Sequence, residues 1–143
     1  MVEIWKPIPG YELSYQVSSL GRVRSLTRKR IVKNCHGGES YRTDRGRIMK
    51  DHSVGAGAYR YVSLRNDGKK RKNFFVHRLV ADAFCKRPPG CDYVDHIDFD
   101  RLNNRADNLR WVTAKENVAH SYDHLVEAQR NRRCKERSAL PIV

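Results

Sequence analysis

The stretch from Val76 to His120 restricts the possible fold more than any other part of this 143-residue chain. Val76, Leu79, Val80, Ala83 and Phe84 recur at the spacing of one apolar helix face, and Pro88-Pro89-Gly90 stops that helix. A β-prone Tyr93-Val94 follows, then a polar loop from Asp98 to Asp107 and a second short strand at Leu109 to Val112. Thr113 and Glu116 have the spacing of a capping box that opens another helix. Strand, loop, strand and helix in so few residues converge on one small cleft.

Upstream, the apolar period is two. Tyr15 to Ser18 and Arg22 to Ser25 read as a hairpin turned through Ser19-Leu20-Gly21, with Arg22 and Arg24 on the face opposite Val23. Tyr59 to Arg65 and Lys72 to Val76 form a second hairpin through Asn66-Asp67-Gly68, with a basic tip at Lys69, Lys70, Arg71 and Lys72. Trp5 and Trp111, among β-prone or apolar neighbours, are expected to anchor the core. The basic stretch from Gln129 either extends the last helix or frays into a tail.

Charge narrows the function. The formal net charge is +13, from 29 Lys and Arg against 16 Asp and Glu. Ten bases, including Arg22, Arg24, Arg28, Lys29 and Arg30, face only Glu39 and Asp44 between Leu20 and Lys50. Six more face only Asp67 between Arg60 and Lys72. A single Lys or Arg is ordinarily a solvated surface group, but this density exceeds what solubility requires and points to a phosphate-rich partner. No apolar run approaches the roughly 20 residues of a membrane span, and Met1 to Tyr15 lacks the basic start and apolar stretch of a signal peptide, so a soluble intracellular protein is expected. Cys35, Cys85, Cys91 and Cys134 contain no C-x-x-C pair, which argues against structural zinc and for reduced thiols.

Against this basic background, Asp95 to Asn117 holds five acids and four bases. Inside that island Asp95-His96 is followed by Asn108, Asn117 and His120, at offsets of 12, 21 and 24 residues from His96. A carboxylate and an amide oxygen suit Mg²⁺ or Mn²⁺, and an imidazole titrates near neutrality and can take a proton from water. Neighbours in a regular strand point to opposite faces, so Asp95 and His96 share a site only where the strand ends or bulges. Asn103 and Asn104 read as turn residues, and Asp98 and Asp100 as solvated loop acids. Asn108 could also simply turn the chain. His120 could contact a phosphate, assist a metal or pack, and His77, at the start of an apolar helix, reads as structural or phosphate-contacting.

These residues resemble the HNH nucleases, more narrowly the phage and intron-associated HNH homing endonucleases. The resemblance is carried by Val76-His77-Arg78-Leu79-Val80-Ala81-Asp82-Ala83-Phe84, Val94-Asp95-His96-Ile97-Asp98, Asn103-Asn104, Asn108 to Thr113 and Glu116 to His120. The opening, Glu3 to Tyr11 with Val17 to Leu26, resembles the DNA-binding module that commonly precedes such a nuclease. The resemblance implies an α+β chain: an amino-terminal β-rich DNA-binding module in residues 1–58, a ββα-metal nuclease unit in 59–128 and a basic tail in 129–143. It implies His96 as general base, Asn108 orienting it by a hydrogen bond, and Asp95 and Asn117 as ligands of one divalent cation, Mg²⁺ or Mn²⁺. It further implies cleavage of double-stranded DNA to 5′-phosphate and 3′-hydroxyl ends.

Arg22, Arg24, Arg28, Lys29, Arg30 and Lys69 to Lys72 are the expected DNA contacts, and a monomer that nicks one strand in a bacterial or phage-infected cytoplasm is expected. Only about 20 residues follow His120, too few for the helix-turn-helix that often follows, so relaxed sequence discrimination is expected. The competing readings are a DNA-binding regulator or packaging protein with a decayed nuclease unit, and an RNA-binding protein of ribosomal type, which leaves the acidic island unexplained.

Overall fold

The computed structural model describes residues 2–33, 35–53, 58–65 and 70–138, the side chains of 130–138 excepted. Among these residues nine short strands, two α-helices and a 3-10 turn (Ala106–Asn108) follow the order the sequence suggests, with two additions. β1 (Trp5–Pro7), β2 (Tyr15–Ser18) and β3 (Val23–Ser25) form an antiparallel sheet in the order β1-β2-β3. The β2–β3 hairpin is the expected one: Gly21 takes φ +81° in the turn, Val23 is buried, and Gln16 pairs with Arg24 on the other face. β1 was not foreseen, since its three residues include a proline and carry no alternation; as an edge strand it tolerates Pro7.

The second addition is a six-residue ribbon of β4 (Arg28–Lys33) and β5 (Glu39–Asp44), paired from Arg28↔Asp44 to Lys33↔Glu39. β4 alternates between half-buried and exposed positions and β5 is exposed along nearly all its length, so the ribbon carries no hydrophobic face to read in the sequence. β6 (Tyr61–Leu64) and β7 (Lys72–Phe75) make the second hairpin; its expected Asn66-Asp67-Gly68 turn and Lys69 lie outside the described residues.

α1 (Val76–Phe84) buries Val76, Leu79 and Val80 as their spacing requires. It packs on β2, β7, β8 (Tyr93–His96) and β9 (Leu109–Val112). A single cluster therefore joins Ile8, Tyr15, Val17 and Val23 to Val62, Leu64, Val80, Val94, Leu109 and Trp111. Trp111 anchors that core and donates its indole N–H to the Ala81 carbonyl at 3.3 Å. Trp5 does not anchor it: half-buried on an edge strand, it is a shelf on which the Arg24 guanidinium lies at 4.2 Å.

α2 (Ala114–Ser138) opens on the expected capping box, the Thr113 N–H donating to Glu116 at 2.8 Å and the Glu116 N–H to Thr113 Oγ1 at 3.3 Å. These bonds hold the Glu116 carboxyl below its ordinary range. The helix runs through residue 129 without a break. Among the described residues no helix is long and apolar enough to cross a membrane.

The amino-terminal sheet meets the second half of the chain through the shared core and through its β2–β3 turn. The Ala106 N–H donates to the Ser19 carbonyl at 2.9 Å, and a Cβ on Gly21 would stand 2.8 Å from the Asn104 carbonyl oxygen. The turn that joins β2 to β3 thus presses on the loop between β8 and β9.

Candidate active site

β8 and β9 pair antiparallel from Tyr93↔Val112 to His96↔Leu109, and the strand reading extends two residues beyond Tyr93-Val94 to include Asp95 and His96. The strand stops at His96, and the chain turns through Phe99, the one non-glycine described with positive φ, at 63°. That ending meets the condition set by strand geometry. Asp95 (8% exposed) and His96 (4% exposed) line one cleft together with Asn117, Phe99, Arg101 and His124. The cleft holds about 660 Å³ and is open to solvent.

Each buried polar group in it has a defined partner. Arg110, opposite Asp95 in the ladder, donates to Asp95 Oδ2 from Nε at 3.0 Å and from an Nη at 2.8 Å. His120 places Nδ1 at 3.1 Å from Oδ1 and 2.9 Å from Oδ2 of the same carboxylate. His120 is thus a hydrogen-bond partner of Asp95. Phe99 stacks on His120 at 4.0 Å between ring centres and on His124 at 4.1 Å, which pins the loop to the helix. Asn117 makes no side-chain hydrogen bond among the described residues, so its amide oxygen is available in the cleft.

His96 is not held by Asn108. The Asn108 amide donates to Asp98 Oδ1 and to the Asn103 carbonyl, both at 2.8 Å, and its oxygen accepts from the Asp98 N–H at 3.1 Å. It braces the loop through its side chain and reaches the β8 end only through its backbone carbonyl, which accepts from the Ile97 N–H. The residue on His96 is Asn104, whose Oδ1 lies 3.0 Å from Nε2. An amide oxygen only accepts, so Nε2 carries the proton and a neutral ring keeps its lone pair on Nδ1.

Sequence reasoning took Asn104 for a turn residue. Its signal was a second asparagine beside Asn103, and only burial, at 4% exposed, distinguishes a polar residue that must find a partner. Asp98 is likewise more than a solvated acid: burial pushes its carboxyl up, but bonds from Asn103, Asn108 and the Asp100 N–H outweigh that and hold it below the ordinary value.

His77 sits behind His96, with ring centres 5.4 Å apart, and beneath Tyr59 at 4.7 Å. Burial first, then the neighbouring His96 and Arg78, lowers its pKa from 6.5 to about 4, and its Nδ1 has no partner. It is buried against Tyr59, Phe75 and His96 and lines neither the cleft nor the basic groove.

The expected basic contacts divide into two sets. Arg28, Lys29 and Arg30 line a groove of about 1010 Å³ with Arg47, Lys50, Arg65 and Arg71, against one acid, Asp44, which pairs with Arg30 at 2.9 Å. Arg22 and Arg24 lie outside it: Arg22 is paired with Glu3 (2.9 Å from Nε), and Arg24 donates to Gln16 at 2.9 Å. Lys70 and Lys72 are exposed on or beside β7. Among the described cysteines, Cys35, Cys85 and Cys91 are free thiols.

A two-stranded ladder, a buried acid and imidazole at its end and an asparagine on the following helix define the ββα-metal class of site. Residues 3–65 match the NUMOD4 motif and residues 74–119 the HNH endonuclease family. The chain is 39% identical over 114 residues to DNA endonuclease I-HmuI of Bacillus phage SP01, covering 80% of this chain and 55% of that protein. It is 36% identical over 126 residues to an uncharacterized HNH endonuclease of Acanthamoeba polyphaga mimivirus, 85% of this chain and 27% of the other. The solved structure of DNA binding and cleavage by the HNH homing endonuclease I-HmuI superposes with a TM-score of 0.64 at 34% identity, over 93% of this chain and 68% of that one. This chain belongs to the HNH endonuclease family. It spans roughly a quarter to a half of the length of these two curated relatives.

Proposed function

We infer that this chain hydrolyses a phosphodiester bond of double-stranded DNA with one divalent cation. The observation that carries the reading is the shared cleft: Asp95, His96 and Asn117, from the end of a strand and the start of a helix, open on the same space. HNH endonucleases generally use a divalent metal. The donor set fits one: a carboxylate and an unengaged amide are hard oxygen ligands, suited to Mg²⁺ or Mn²⁺ rather than to zinc, which favours nitrogen and sulfur.

When bound, the cation stabilises charge on the scissile phosphate and on the departing 3′ oxygen. Arg110 and His120 hold the Asp95 carboxylate in position by hydrogen bonds. Asn104 fixes the His96 ring with Nδ1 as the proton acceptor. Water attacks phosphorus as its proton passes to His96, and the bond to the 3′ oxygen breaks; that oxygen takes a proton from solvent, leaving 5′-phosphate and 3′-hydroxyl ends. The Arg28 to Arg71 groove supplies phosphate contacts that fix the duplex. One cleft in one chain implies nicking by a monomer, and phage relatives point to a host-cell cytoplasm.

Supercoiled plasmid incubated with the protein and Mg²⁺ or Mn²⁺ tests this. Conversion to open circles, abolished by a chelator and by His96→Ala, is the expected result. DNA that is bound but never nicked, or nicking that survives His96→Ala, removes the catalytic assignment.

A further inference from the structure

Beside the catalytic cleft lies a second recess, of about 500 Å³, lined by Ala58, Tyr59, Tyr61, Asn73, Phe75 and Arg101. Tyr59 and Arg101 also line the cleft, so the two spaces adjoin. Tyr61 and Phe75 are opposed residues of the β6–β7 ladder, and opposed residues project to the same face. Phe75 is nearly half exposed, and Tyr59 meets it edge to face at 5.9 Å. Both rest on the buried His77 ring, Phe75 stacked at 5.5 Å and Tyr59 at 4.7 Å, which makes the aromatic wall rigid from behind. The Arg101 guanidinium stands 5.0 Å over the Tyr59 ring and makes no ion pair among the described residues.

Phosphates need only cations, and the basic groove already supplies those. Aromatic faces left to water beside such a cleft, with a cation at the junction, match the chemistry of a nucleobase joined to its phosphate. Bases inside a duplex show no face, so an occupant must leave the stack. The geometry points to this recess as a receptor for a nucleobase displaced from the helix next to the scissile phosphate. Tyr61 and Phe75 supply the stacking faces, and Arg101 bridges to the phosphate in the cleft. The assignment rests on the nuclease reading of that cleft, and its occupant is a base of the same DNA strand.

The test compares two labelled oligomers of equal length and charge, oligothymidylate and its abasic counterpart, binding to the full chain in the presence of a chelator. Loss of a stacking ring should weaken the oligothymidylate about tenfold and leave the abasic strand unchanged. Tyr61→Ala and Phe75→Ala are the first variants; Phe75→Leu, which keeps apolar bulk over His77 but removes the ring, guards against unfolding and should behave alike. Equal weakening of both oligomers, or no weakening of either, overturns the assignment. Because the chelator prevents cleavage, the two readings separate. A chain that nicks plasmid but binds both oligomers as its variants do loses the base receptor alone; one that discriminates bases but never nicks loses hydrolysis alone.

Discussion

The catalytic cleft and the basic groove solve opposite problems with opposite materials. In and behind the cleft, Asp95, His96, Asn104 and Asn108 are all buried, and each is fixed by named partners between 2.8 and 3.1 Å. In the groove, Arg28, Lys29, Arg47, Lys50, Arg65 and Arg71 are replicate charges on an open surface. A buried network concentrates its worth in single atoms, because an orphaned polar group there costs its full desolvation. A charged groove spreads its worth thinly, since each phosphate contact adds a similar increment.

The sharpest way to break that contrast is His96→Ala. Loss of the proton acceptor should cut nicking by about 10²–10⁴-fold with DNA affinity retained. A fall under tenfold in a plasmid assay would mean that the cleft is no more concentrated than the groove.

Next in size is an acid limb of stability from His77. Its pKa is about 4 when folded against 6.5 in the unfolded chain, so between those values the unfolded state binds more protons. Stability is whole above pH 6.5 and falls as pH drops toward 4, by up to about 3 kcal/mol. Urea melts across that window should show the decline, and His77→Leu should flatten it; an equal decline in the variant would assign it elsewhere. Carboxylates held down by partners, such as Asp98 and Glu116, lose their contribution only at still lower pH.

A third test probes the joint between the two halves. Gly21→Ala adds a Cβ 2.8 Å from the Asn104 carbonyl at a positive φ, whereas Gly10→Ala, at φ +77°, meets nothing within 4 Å. Both should lose about 1 kcal/mol of stability to backbone strain. Only Gly21→Ala should also slow nicking, by displacing Asn104 from His96. Equal rates for the two variants would detach the hairpin from the site.

The smallest effect lies in the groove. Replacing Arg47 and Lys50 together should lower the slope of log affinity against log salt by about two, without altering the cleavage rate of bound DNA. Arg22 and Arg24, tied to Glu3, Gln16 and Trp5, should change it less. An unchanged slope for the first pair would put the duplex on another face.

What the sequence disclosed follows the same division. The β2–β3 hairpin, α1 and the capping box at Thr113 and Glu116 were legible because local spacing and turn chemistry decide them. Asp95, His96 and Asn117 were legible as residue types at a telling separation. The β4–β5 ribbon was not, since β4 alternates between half-buried and exposed rather than apolar and polar, and β5 is exposed along nearly all its length. The exchange of Asn104 for Asn108 on His96 was illegible for another reason. Two asparagines four residues apart differ only in which way a loop folds, and that depends on the Ser19 to Gly21 turn more than 80 residues earlier in the chain.

The central claim is that an acid and an asparagine from different elements grip one ion beside an imidazole. Anomalous X-ray scattering from crystals of the protein with Mn²⁺ and a DNA duplex reads it directly. The account predicts a single manganese peak touching Asp95, Asn117 and a phosphate, with His96 Nδ1 facing that phosphate. A peak held by Asp98 and Asp100, with neither Asp95 nor Asn117 touching it, would contradict it.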